Sequence, residues 1–165
     1  MKIIVWNQPL EIGLCNKAVG TSKKSKENRT GVCINTVRSA VESTMKKYED
    51  EIKRLDPNAS IGYRGSLASG YKNSITKGEA PFNSNDFDFD AFIISEYLAN
   101  DPTYTNRRRD GSEIAEIKTI EDKIDSELRS KPCLKGIRSE SFGFRIFKNH
   151  ELDDLSRKGD IQKRL

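Results

Sequence analysis

A chain of 165 residues suits one domain with a single core, yet only 35% of it is apolar and 33% is charged, so much of it must be solvated surface. The formal charge is +4, and no apolar run approaches the roughly 20 residues that a membrane-crossing helix needs, which leaves no membrane partner. A single histidine and three scattered cysteines, Cys15, Cys33 and Cys133, with no Cys-x-x-Cys pair, exclude a Cys/His zinc site and read as reduced thiols, a Cys15–Cys33 bridge being the alternative.

Residues 1–34 hold six basic residues against two acidic ones, which is the whole of the net charge. Within them, VGTSKKSKENRTG (19–31) has the composition of a linker, and MKIIVWNQPLEIG at the start is too short in its apolar stretch for a signal peptide. This segment reads as a basic arm able to contact phosphates or an acidic partner, or as a solvated leader. Residues 35–165 read as the folded domain, where any catalytic site must lie. From Asn35 the apolar residues Val37, Val41, Met45, Tyr48, Ile52 and Leu55 recur at helical spacing, with Asn35 or Thr36 as cap and Pro57-Asn58 as stop.

SIGYRGS (60–66) predicts a short strand that ends on glycine and serine, and 67–85 predicts a long loop with one helical turn. DFDFDAFII (86–94) predicts the clearest strand, followed by a connection. A second helix is expected over about 112–130, with Ile114, Ile117, Ile120, Ile124 and Leu128 on one face and Asp110 or Ser112 as cap. ESFGFRIFK (140–148) alternates as another strand, and the tail from His150 predicts a helix. The order implies an α/β (α+β) domain with helices packed on a small mixed sheet.

Strand alternation places Asp86, Asp88 and Asp90 on one face and Phe87, Phe89 and Ala91 on the other. Like charges so close raise each other's pKa and destabilise a fold unless a cation sits between them. Mg²⁺ or Mn²⁺ bound by oxygen ligands meets that need, while turn capping and pairing with Arg64 or Arg145 would meet it without metal. Upstream, Gly65-Ser66 ends the strand that should neighbour the aspartates. Glycine lets backbone approach a phosphate, and serine adds a hydroxyl.

A strand ending in Gly-Ser, a spacer, then an Asp-x-Asp strand resembles the DNA polymerase beta-like nucleotidyltransferases, on Gly65, Ser66 and the pair Asp86/Asp88 or Asp88/Asp90. The resemblance implies a nucleoside triphosphate as substrate and a metal held by Asp86, Asp88 and Asp90. Arg64, Lys72 and Lys77 are candidates for its phosphates, and Glu140 is the third carboxylate that a later strand could supply. The stretch 62–95, continued through IEDKIDSELRS to FGFRIF, is also similar to C-terminal toxin modules of bacterial polymorphic toxins of the contact-dependent-inhibition or Rhs type. That likeness implies export within a larger parent, action in the target-cell cytoplasm and a cognate immunity protein.

The expected activity is transfer of a nucleotide, or of a pyrophosphate-activated group, to RNA such as tRNA or to a protein hydroxyl. The alternatives are a toxin ribonuclease cutting tRNA, by the same carboxylates or by Arg145 and His150, and a non-catalytic RNA- or partner-binding module. Secondary candidates are the Arg107-Arg108-Arg109 cluster for phosphate contact and Tyr63, Tyr71 and Phe82 for stacking, each weighed against ordinary surface or core roles.

Overall fold

In the computed structural model the described residues are 32–72, 80–105 and 107–165. The basic arm up to residue 31, Cys15 and Lys77 lie outside them. Cys33 is disulfide-bonded and Cys133 is a free thiol, so the expectation of reduced cysteines fails at Cys33.

The first helical stretch is two helices, α1 (Ile34–Lys47) and α2 (Glu49–Leu55), with Cys33 rather than Asn35 or Thr36 at the cap. The break at Tyr48 needs neither proline nor glycine. Lys46 and Lys47 favour a helix C-terminus and Glu49, Asp50 and Glu51 favour an N-terminus, so charge divides the stretch where they meet. The Tyr48 hydroxyl donates to Glu127 at 3.0 Å and fixes the joint.

Strand β1 (Ser60–Arg64) leads through Gly65 into a single turn, α3 (Ser66–Ser69), and then β2 (Tyr71–Lys72), which pairs antiparallel with β3 (Ala80–Pro81). The expected loop therefore carries structure at both ends. β4 (Asp90–Ile94) follows, then the turn α4 (Glu96–Ala99), a 3-10 turn over Gly111–Glu113 boxed by Asp110 and Glu113, and α5 (Ala115–Ser130). β5 (Phe144–Phe147), α6 (Asn149–Arg157) and β6 (Gln162–Arg164) complete the order.

The sheet runs β5-β4-β1-β6. β1 is antiparallel to both β4 and β6, and β4 is parallel to β5. The fold is thus α+β with a mixed sheet. One face carries the main core, where Val37, Val41 and Met45 of α1 and Ile117, Ile120, Ile124 and Leu128 of α5 pack on Ile61, Tyr63, Ala91 and Ile93. On the other face α6 covers one end only, through Leu152 against Phe92, Ile94 and Phe147. Gly62 makes room there: a Cβ on it would stand 2.5 Å from the Phe92 ring. The opposite end of that face, at Arg64 and Asp90, opens on a cleft. No helix among the described residues is long and apolar enough to cross a membrane.

The expected strand 86–94 is regular only from Asp90. Residues 84–88 leave the sheet because Phe87 instead bridges Ile137: its N–H donates to Gly136 and its carbonyl accepts from Arg138, both at 3.0 Å. The apolar half of the alternation survives, with Phe87 and Ala91 buried.

Candidate active site

β1 and β4 pair in a register that sets Arg64 opposite Asp90, so the turn after β1 meets the start of β4. Gly65 has φ 79° and ψ −151°, backbone that is nearly glycine-only, and a Cβ on it would lie 2.8 Å from Asp90 Oδ2. Only glycine lets this turn close over the carboxylate. Ser66 follows with its hydroxyl unbonded among the described residues. From α1, Arg38 donates to the carbonyls of Leu67 and Ala68, each at 2.8 Å, and clamps the turn to the body.

The three aspartates do not behave alike. Asp86 is engaged by Arg138 and Lys72, each at 2.8 Å, and these hydrogen bonds hold its carboxyl well below the usual carboxylate range. Asp88 is exposed, with Arg138 at 3.5 Å. Asp90 is also exposed, at the strand end, and partial desolvation by the neighbouring turn is the first cause that pushes its carboxyl up. Asp88 and Asp160 add to this, while Arg64 and Arg145 oppose it. No three Asp, Glu, His or Cys side chains among the described residues gather as a metal-holding group. Asp86 is held by two cations at 2.8 Å, whereas Asp88 meets Arg138 only at 3.5 Å and Asp90 forms no ion pair among the described residues, so Asp88 and Asp90 are the pair left to suit a hard divalent ion.

A cleft of about 660 Å³ opens beside Arg64 and runs across the sheet end, lined among others by Asp88, Asp90, Arg138 and Arg145. Its far wall, 138–144, is tied to α5 by side chains four residues apart. Glu121 accepts the Phe144 N–H at 2.7 Å, Asp125 accepts that of Phe142 at 2.9 Å, and Arg129 donates to the carbonyls of Arg138 and Glu140.

Glu121 is a residue the sequence reading missed. It lies four after Ile117 and seven before Leu128, on the apolar stripe of α5, and is 1% exposed. A charged residue on such a stripe is the signal that could have found it. Burial pushes its carboxyl up to about 7, with Asp122 and Asp110 adding to the rise and the Phe144 amide and Lys118 opposing it. Between pH 4.5 and 7 the folded protein holds a proton here that the unfolded chain has released. Stability should therefore fall as pH rises through that window, by up to roughly 3 kcal/mol, and level off above it. Urea unfolding at pH 5 and pH 8 should show this loss in the wild type and a much flatter profile in Glu121→Gln; equal slopes would refute it.

The remaining candidates separate. Arg64 sits beside Asp90 and reaches Asp160 at 3.6 Å. Lys72 is spent on Asp86. Glu140 lines the cleft from a loop rather than from a strand, so the expected strand edge does not present it. In the arginine cluster, Arg109 is buried and paired with Glu151 at 2.8 Å, so it does not serve phosphate contact, and Arg108 lies against Asp110 at 3.2 Å. Tyr63 is buried and donates to Glu42, and Phe82 packs on Phe87, so both belong to the core; Tyr71 is exposed. His150 is exposed on α6 and is not among the residues that line the cleft.

Comparison with known proteins finds no matching family model, curated protein or solved structure.

Proposed function

We propose that the chain is a metal-dependent nucleotidyltransferase-like domain, acting as the toxin module of a larger exported protein in the cytoplasm of a target cell. The observation that carries the reading is the Gly65-Ser66 turn closed over Asp90, which sets a backbone open to phosphate approach against a carboxylate that lines the cleft. Its acceptor is an RNA, tRNA being the foremost candidate, or a protein hydroxyl. A cognate immunity protein would bind across this cleft.

Asp88 and Asp90 would hold Mg²⁺ or Mn²⁺, and such an ion supplies positive charge to the phosphate oxygens. The chain's own part is to position. The bare backbone of Gly65 allows close approach, Ser66 offers a hydroxyl, and Arg38 keeps the turn rigid. An acceptor hydroxyl oxygen then forms a bond to the α-phosphorus, the bridging P–O bond breaks, pyrophosphate departs and the hydroxyl proton passes to solvent.

The test is transfer of label from α-phosphate-labelled ribonucleoside triphosphates, tried one at a time with Mg²⁺ or Mn²⁺, to total tRNA and to cell protein. Labelled macromolecule from the wild type, lost on adding EDTA, is the expected result. RNA that is shortened without taking up label would replace this reading by the ribonuclease one.

A further inference from the structure

β4 and β5 are parallel in a register that sets Phe92 beside Arg145. Asp90 lies two residues before Phe92, so Arg145 projects from the same face of the sheet as Asp90. The strand position beside the aspartates, where the family resemblance directs attention to a third carboxylate, thus carries a cation. Arg145 is exposed and lines the cleft. Its guanidinium lies over the Phe147 ring, 5.3 Å from the centroid. The neighbouring cations are engaged: Arg138 and Lys72 by Asp86, Arg64 by Asp160, Arg109 by Glu151. Arg145 alone of these five has no carboxylate within ion-pairing distance among the described residues.

We propose that Arg145 binds the phosphate oxygens of the nucleoside triphosphate, so that the site works with aspartates on one strand and an arginine fork on the next. The proposal rests on the nucleotidyltransferase reading and adds a substrate-binding residue to it. A guanidinium lying over an aromatic ring is limited in its plane and keeps N–H edges free for paired bonds to phosphate. Leaving it unpaired beside Asp90 provides attraction for the anion without first breaking an ion pair.

Calorimetric titration of the full chain with inorganic triphosphate and Mg²⁺ tests this, because the probe carries no base and reads phosphate contact alone. Arg145→Ala and Arg145→Gln are both expected to weaken binding about 10- to 100-fold, with thermal unfolding unchanged. Arg145→Lys, which keeps the charge but not the fork, should fall between them and the wild type. Binding by Arg145→Ala and Arg145→Gln within about twofold of wild type overturns the inference. Label transfer by the wild type then tells the two ideas apart: if it persists, the transferase reading stands without Arg145, and if the wild type neither transfers label nor binds triphosphate, both fall.

Discussion

Asp90→Asn is expected to lower label transfer on the order of 10²–10³-fold while leaving the unfolding temperature level. The Asp90 carboxylate is exposed at the start of β4 and makes no hydrogen bond or ion pair among the described residues, so an amide of the same shape removes no contact that the fold relies on. Asp88→Asn should share the loss of activity, since Asp88 is the other carboxylate without a cation closer than 3.5 Å. Asp86→Asn provides the contrast. Its carboxylate serves Arg138 and Lys72, and that exposed network tolerates change, so transfer should stay within about 10-fold of wild type. Equal losses at 86 and 90 would mean that the aspartates act as one group of three, and the division drawn from their partners would fail.

Gly136→Ala is expected to be the most destabilising of the glycine substitutions near the site. A Cβ at 136 would stand 2.0 Å from the carbonyl oxygen of Ser84 and 2.7 Å from the backbone of Asn85. Backbone cannot swing aside as a side chain can, so the 84–88 segment must part from 136–138 and the Phe87–Ile137 bridge must open. The expected cost is about 3 kcal/mol, measured by urea unfolding. Gly159→Ala calibrates it: φ there is +89° but nothing lies within 4 Å, so only the conformational penalty of about 1 kcal/mol applies. If Gly136→Ala costs no more than Gly159→Ala, the packing of the aspartate segment on 136–138 is looser than these distances imply.

What could be read from the sequence was whatever rests on short periods. The stripe from Ile117 to Leu128 placed α5, and the alternation around Phe144 and Ile146 placed β5. Arg145 was legible in that same alternation as the residue turned away from the core. Gly65 and Asp90 were legible as motif members, but their closure on each other depends on antiparallel register, which no local pattern states. The aspartate segment was misread because Phe87 satisfies its backbone at residues 136–138, some fifty positions later. β6 was invisible for a different reason. Gln162, Lys163 and Arg164 form an edge strand whose side chains are mostly exposed, so it has no apolar alternation to find.

That last strand bears on how the molecule assembles. β1 carries the Gly-Ser turn and is interior to the sheet, yet its two neighbours come from about 30 and about 100 residues downstream. Closing the longer loop repays its entropy only once nearly all of the described chain is in place. Any process that passes the chain through as an extended thread would deliver it without a working turn. Activity would then lag behind arrival by the time this non-local pairing takes, a delay that stopped-flow refolding followed by label transfer can measure.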